Sequence, residues 1–181
     1  MSKAVMLSIR PKWVEKIANG EKTIEVRKTR PNIATPFKCY IYCTLPKYPH
    51  EDFIATDYPR PQFYGGGKVV GEFTCERVVP ITYDGGRLWC TTNAAFSPAT
   101  CLTQAGIIAY IGDKGRCYGW HISDLRIYDA PRELSEFRRA TDPCNSCHAE
   151  YTWECTDCKK FSGDIKRPPQ SWCYVEAMKD E

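Results

Sequence analysis

The chain has 181 residues, of which 43% are apolar and 26% are charged, and its formal net charge is +3 at pH 7. This length fits one domain of ordinary size, and the composition predicts a packed core, which excludes a disordered protein. The charge permits a nucleic-acid partner without requiring one. The sequence contains no long apolar run that could span a membrane and no apolar segment after Met1 that is typical of a signal peptide. We therefore expect a cytoplasmic protein without a membrane partner.

The first predicted helix begins at Pro11, a residue that favours the first turn of a helix. Trp13, Val14 and Ile17 follow at the spacing of a single apolar stripe. Gly20 is expected to end the helix, because glycine readily adopts the left-handed backbone conformation found at helix ends. The sequence therefore predicts a short amphipathic helix close to the N-terminus.

A strand is predicted immediately after this helix, because apolar and charged residues alternate there. Ile24 and Val26 are expected to face one side, and Glu25 and Arg27 the other. Lys22 lies in the turn between helix and strand, so the alternation does not fix the direction of its side chain. Two cations and one carboxylate are thus gathered at the junction of helix and strand.

The spacing Gly20-x-Lys22-x-x-Glu25-x-Arg27 resembles GxKxxExR, the signature of the ASCH domain family, which is related to the PUA domains that bind RNA. Three parts of the chain, together close to a third of it, resemble the family pattern: residues 5–31, 68–79 and 116–137. The resemblance implies an α+β fold, a small mixed β-barrel with flanking helices and a cleft that faces the signature strand. Some family members are amidohydrolases that deacetylate N4-acetylcytidine, and at least one cleaves RNA. Many others have no assigned activity and are taken to bind RNA or modified nucleosides.

By this resemblance, the predicted function is binding of RNA or a modified nucleotide or nucleoside, and the alternative is an amidohydrolase or ribonuclease. The candidate catalytic residues share a position at the expected cleft: Lys22, Glu25 and Glu72. The candidate nucleotide-binding residues share the signature or its flanks, apart from one aromatic residue: Ser8, Arg10, Lys22, Glu25, Arg27 and Trp120.

The chemistry of the signature residues favours binding. Lys22 and Arg27 offer donors for phosphate or carbonyl oxygens, and Glu25 can accept from an exocyclic amine or hold Arg27 in position. Deacetylating members of the family carry a reactive Thr where this chain has Glu25, so catalysis here would require Glu25 to act as a base on water. The structural alternative is an ion-pair network on the wall of the barrel.

Two strands are predicted in the next part of the chain, over residues 37–45 and 68–79. Cys39 and Cys43 are interpreted as small core residues, with a redox role as the alternative. Residues 46–67 are predicted to form a long surface loop, either a solvated insertion or a binding loop. Glu72 is expected to point at the same cavity as Lys22; the alternative is an exposed carboxylate on an edge strand.

The middle of the chain has weaker patterns. We predict a short helix within 97–106, a buried strand at 107–111 and a hairpin turn at 112–115. A returning pair of strands is expected over 116–128, followed by a helix that starts near Pro131. Within the strand pair, Trp120 belongs either to the core or to the floor of a ligand cavity. His121 is interpreted as a structural histidine, with proton transfer as the alternative.

Two CxxC pairs near the C-terminus predict a metal site. The four thiols are separated by spacings typical of zinc knuckles: Cys144, Cys147, Cys155 and Cys158. We expect one structural Zn²⁺ with four sulfur ligands, and the other cysteines as reduced thiols without disulfide partners. Haem attachment through Cys144-x-x-Cys147-His148 and replacement of Cys147 by His148 as a ligand are the alternatives. The ribbon is also a candidate docking surface for a protein partner.

A final strand is predicted over 172–175, where it could close the barrel. Because this strand follows the cysteines, the zinc ribbon at 142–160 is expected to be an excursion within a single domain that covers residues 1–181.

Overall fold

The computed structural model describes residues 2–45, 53–54, 63–64, 66–84, 86–90, 96–140 and 163–178. In these residues, eleven strands are present: β1 Lys3–Ile9, β2 Ile24–Arg27, β3 Phe37–Cys43, β4 Phe53–Ile54, β5 Phe63–Tyr64, β6 Lys68–Asp84, β7 Arg87–Cys90, β8 Arg116–Arg132, β9 Arg138–Arg139, β10 Gly163–Asp164 and β11 Trp172–Glu176. The helices of the same ranges are α1 Pro11–Ala18, α2 Phe96–Thr100 and α3 Gln104–Ile111.

The fold is α+β and is built on one mixed sheet with the strand order β10-β9-β11-β1-β3-β6-β8-β2. β1 and β3 are parallel, the other neighbours along this path are antiparallel, and β7 pairs with β6. The prediction of a closed barrel is wrong, because closure requires the two end strands to pair, and the described β2 and β10 do not. A separate ribbon of β4 and β5 lies in the region predicted to be a loop.

Most of the predictions for the first 45 residues, and that of the final strand, are confirmed. α1 begins at Pro11 and buries Val14 and Ile17, as its apolar stripe requires. The strands predicted after this helix and over residues 37–45 are present as β2 and β3, and the final predicted strand is β11. Cys39 and Cys43 are buried free thiols in the core, as their interpretation as small apolar residues requires.

The prediction of a strand at 107–111 is wrong, because these residues belong to helix α3. Thr103 caps this helix by accepting a hydrogen bond from the backbone N–H of Gly106 at 3.0 Å. Ile107 and Ile111 lie one turn apart and are buried together in a cluster that includes Val26 of β2. A five-residue apolar run fits a strand or a helix equally well, and here the cap and the packing decide.

The pair of strands predicted over 116–128 is a single strand, β8, which continues to Arg132. The prediction of a helix that starts near Pro131 is also wrong, since β8 is followed only by a single 3₁₀ turn at Leu134–Glu136. β8 pairs with the equally long β6 between its two ends, Thr82↔Arg116 and Val69↔Arg132, with several register shifts. This pairing satisfies the backbone of the segment and outweighs the local helix signal of proline.

The core lies on both faces of the sheet. One cluster beneath α1 includes Val14, Phe37 and Trp120, and a second on the opposite face includes Tyr40 and Phe137. No helix in the described part of the chain has the length and apolar character needed to cross a membrane.

The close contact between the two long strands, β6 and β8, can be tested by a substitution at Gly71. A Cβ added at this position would lie 2.5 Å from the backbone oxygen of Arg126 and 3.0 Å from Cδ1 of Ile127. We expect Gly71→Ala to lower the free energy of unfolding by about 1–3 kcal/mol, because backbone atoms cannot move aside without distorting the β6–β8 pairing. Urea denaturation measures this change.

The matched control is Gly106→Ala in α3, where the added Cβ meets only the hydroxyl oxygen of Thr103 at 3.2 Å. Alanine is favoured over glycine in helices, so this variant should change stability by less than about 1 kcal/mol. Equal stability of the two variants would show that β6 and β8 are not so tightly apposed.

Candidate functional site

Three charged side chains of the signature segment form one buried ion-pair cluster. An Oε atom of Glu25 lies 3.4 Å from Nζ of Lys22, and its other Oε atom lies 3.0 Å from Nε of Arg27. Lys22, Glu25 and Arg27 are only 3%, 6% and 7% exposed. Burial of this kind is costly for single charges and is tolerated here because the carboxylate faces both cations.

Lys22 is held in place by backbone carbonyls of β2 and of α2. Its Nζ donates hydrogen bonds to the carbonyl oxygens of Ile24 and Thr100, each at 2.8 Å, and lies 5.3 Å from the centre of the Trp13 ring. Burial lowers the pKa of Lys22 below its usual value, and the neighbouring carboxylate of Glu25 opposes this shift. The side-chain direction that strand alternation could not fix is thus decided by α2.

Arg27 connects β2 to β1 and to the residue that precedes β11, although β2 pairs with neither β1 nor β11. Its Nη2 donates to the carbonyl oxygen of Ser8 in β1 at 2.8 Å, and its Nη1 donates to the carbonyl oxygen of Ser171 at 3.2 Å. Nearby, the indole N–H of Trp172 donates to the hydroxyl oxygen of Thr29 at 2.9 Å. The sheet therefore curls until β2 lies opposite β1. We call the gap between these two strands the seam; among the described residues it is bridged by side chains and not by backbone pairing.

A cavity of about 910 Å³ lies at this seam. It is lined by residues from both sides of the seam: Ser8, Ile9, Arg10, Trp13, Lys22, Glu25, Val26, Arg27, Lys28, Thr29, Tyr42, Thr44, Leu45, Leu102, Gly106, Tyr110, Pro168, Pro169, Gln170 and Ser171. The charged members of this lining are four cations and a single carboxylate, Glu25, so the wall is basic. The volume lies within the range of small-molecule sites.

Five of the residues predicted from the sequence meet at this cavity, namely Ser8, Arg10, Lys22, Glu25 and Arg27. The hydroxyl of Ser8 donates to the carbonyl oxygen of Pro169 at 2.6 Å and so positions the residues that form the far wall. Arg10 is exposed at the rim. An ion-pair network and a cleft were alternative interpretations of the sequence, and the three residues of the network also line the cavity.

Glu72 lies apart from this cluster, and it is not among the residues that line the cavity. Its carboxylate accepts a hydrogen bond from the hydroxyl of Tyr128 at 2.7 Å and lies 3.7 Å from Nζ of Lys38. Burial, together with the hydrogen bond to Glu72, raises the pKa of Tyr128. The structure therefore places Glu72 in a separate polar cluster.

Trp120 and His121 also lie away from the cavity lining. Trp120 is fully buried in the core, where its ring packs edge-on against Phe37 and in a tilted arrangement against Trp172. His121 is partly buried, and burial, with a smaller contribution from Arg77, lowers the pKa of its imidazole. Of the two interpretations of Trp120, the structure supports the core residue.

The sequence did not identify several residues of the cavity. Tyr42 and Tyr110 contribute aromatic rings, and Nζ of Lys28 lies 5.3 Å from the centre of the Tyr110 ring. The segment from Pro168 to Ser171 forms the opposite wall. No local pattern marks that segment as part of a site, because its role comes only from its position across the seam.

The four cysteines of the predicted zinc ribbon lie outside the described residues, as does most of the loop predicted at 46–67. In the ranges that are described, no group of three or more His, Cys, Asp or Glu side chains could hold a metal ion.

Comparison with known proteins agrees with this architecture at the level of the fold. No protein-family model and no curated protein matches the chain. The crystal structure of an ASCH protein from Zymomonas mobilis superposes with a TM-score of 0.57 at 17% identity, covering 96% of this chain and 87% of that protein. The chain has an ASCH-like fold. A tyrosine-to-phenylalanine variant of the Zymomonas protein gives a TM-score of 0.57 at 17% identity, with 97% and 91% covered. A serine-to-alanine variant gives 0.55 at 16%, with 96% and 88% covered.

The role of the central carboxylate of the cluster can be tested by Glu25→Gln. This substitution removes the negative charge between two buried cations, and we expect it to lower the free energy of unfolding by about 3–5 kcal/mol. Urea denaturation near neutral pH measures the change. The control is Glu21→Gln, which breaks an exposed pair with Lys16 at 2.6 Å and should leave stability almost unchanged. If both variants were equally stable, the buried cluster would not require Glu25.

Proposed function

We propose that the seam cavity binds RNA or a modified nucleotide or nucleoside. The observation that carries this proposal is the convergence of Lys22, Glu25 and Arg27 on one cavity with a basic wall. A basic concave surface attracts the phosphate of a nucleotide, and its size suits a base with its sugar. The ASCH-like fold supports the same class of ligand.

The buried and the exposed charges of the cavity have different roles in this proposal. The donors of Lys22 and Arg27 already contact Glu25 and backbone carbonyls, so these residues mainly hold the shape of the floor. Arg10 and Lys28 are exposed at the rim and form no ion pair within the described ranges. They are therefore the residues proposed to contact phosphate.

Glu25 and the aromatic residues are proposed to recognise the base. A carboxylate has about four acceptor sites, so Glu25 can accept from an exocyclic amine in addition to its two ion pairs. Trp13 and Tyr110 are only partly buried and line the cavity. Stacking of a base on such a ring contributes about 1–3 kcal/mol.

Hydrolysis of an acylated base is the second candidate, favoured by the 3.4 Å separation of Lys22 Nζ and Glu25 Oε2 at the cavity wall. In this reaction Glu25 would take a proton from water as the water oxygen attacks the amide carbonyl, and Lys22 would stabilise the oxyanion. The C–N bond then breaks, acetate is released and the exocyclic amine receives the proton. Glu72 has no part in this proposal, because it contacts Tyr128 in another cluster.

The binding proposal predicts that Arg10→Ala weakens binding of nucleoside monophosphates about tenfold, through loss of one charge-assisted phosphate contact. Isothermal titration with the four ribonucleoside 5′-monophosphates and N4-acetylcytidine measures this. Chromatography of the acetylated sample tests the second candidate: turnover that is lost in Lys22→Met supports hydrolysis.

The matched control is Arg126→Ala, which removes an exposed arginine of β8 that does not line the cavity. It should bind all these ligands like the wild type. Failure of every nucleotide to bind at millimolar concentration, or equal losses in the two arginine variants, would contradict the proposed function.

We also propose that Cys144, Cys147, Cys155 and Cys158 hold one structural Zn²⁺, on the basis of their CxxC spacings. Protein purified without chelator should contain about one zinc per chain by elemental analysis, and Cys144→Ser/Cys158→Ser should lose it. Cys173→Ser, a partly buried cysteine of β11, is the control and should retain the metal. Zinc content well below one per chain, or iron with a visible absorption band, would contradict this proposal.

A further inference from the structure

A second hollow, which we call the basic groove, lies beside the seam cavity. It has a volume of about 440 Å³ and is lined by Lys28, Thr29, Arg30, Lys114, Arg116 and Tyr118. The groove forms where the chain leaves β2 and where it enters β8, two neighbouring strands in which Arg27 is paired with Tyr118.

The groove is strongly basic. Its lining contains four cations and no carboxylate, and all four cations are exposed. Within the described part of the chain, none of them forms an ion pair with an acidic side chain, whereas exposed cations elsewhere do so, such as Lys68 with Glu133 at 2.6 Å. Unpaired positive charges gathered in one concavity favour a polyanionic ligand.

The groove and the seam cavity are adjacent. Lys28 and Thr29 line both hollows, so a ligand that occupies both would lie across these two residues. Tyr118 is partly buried at the groove and presents an aromatic ring beside the cations. Sites that bind single-stranded nucleic acid combine cations placed along the sugar–phosphate backbone with an aromatic ring on which a base can stack.

We infer that the basic groove binds the sugar–phosphate backbone of a single-stranded RNA, one nucleotide of which occupies the seam cavity. This inference rests on the proposed function and narrows its ligand class from RNA, nucleotide or nucleoside to a nucleotide within a single-stranded RNA. The cavity recognises one base, and the groove holds the phosphates next to it without reading the sequence.

The test compares a ribonucleoside monophosphate with a single-stranded RNA of six nucleotides. Wild-type protein should bind the hexanucleotide more tightly, and Lys114→Ala/Arg116→Ala should weaken hexanucleotide binding about tenfold at 50 mM salt while leaving mononucleotide binding unchanged. Loss of two phosphate contacts should also make the slope of log affinity against log salt less negative by about 1.4. Fluorescence anisotropy over a salt series measures the hexanucleotide, and calorimetry measures the mononucleotide.

The matched control is Arg77→Ala/Arg126→Ala, which removes the same charge from exposed positions of β6 and β8 that line neither hollow. It should bind the hexanucleotide nearly as well as wild type. Equal hexanucleotide affinity in the groove and control variants, or equal affinity of the wild type for both ligands, would overturn the groove inference.

The cavity variant Arg10→Ala separates this inference from the proposed function. If it weakens mononucleotide binding but the groove variant behaves like its control, the proposed function stands and the groove inference falls. If hexanucleotide binding depends on the groove and not on Arg10, the groove binds RNA and the proposed function of the cavity falls.

Discussion

The site depends on one carboxylate between two buried cations. Glu25 lies 3.4 Å from Lys22 and 3.0 Å from Arg27, and none of the three side chains could be buried alone without a large cost in desolvation. With its charge balanced by Glu25, Arg27 reaches across the seam and donates hydrogen bonds to Ser8 and Ser171. The ion pairs therefore do more than stabilise β2, because they hold in place the arginine whose hydrogen bonds join the two sides of the sheet and shape the cavity.

This arrangement separates the residues that build the site from those that are available to a ligand. Lys22 and Arg27 are nearly saturated by contacts within the protein. Arg10 and Lys28 are exposed at the rim, and Arg30 continues the same basic surface into the groove. The segment from Lys22 to Arg27 thus supplies the buried floor of the cavity, and exposed residues outside the ion-pair cluster supply its rim.

Errors in the sequence-based prediction have a common cause. Residues 107–111 contain only apolar residues and tyrosine, so their pattern carried no period, and the Thr103 cap and packing against β2 made them helical. Pro131 is a local signal for a helix start, but β8 extends to Arg132 because β6 offers backbone partners along its whole length. At Pro131, pairing with a strand distant in sequence outweighed local preference; at 107–111, the cap and the packing against β2 decided between two conformations that the local pattern fits equally well.

The sequence by itself determined the helix α1, the strand β2 and the placement of Glu25 and Arg27 on one side of it, because these follow from periods of 3.6 and 2 within a few residues. Only the tertiary structure decided that Lys22 points inward, since its partner Thr100 belongs to α2, and that Ser171 completes the seam. It also decided that Glu72 contacts Tyr128 and that Trp120 is core. The alternation of a strand divides its residues between two faces, but which cavity each face meets depends on how the whole sheet curls.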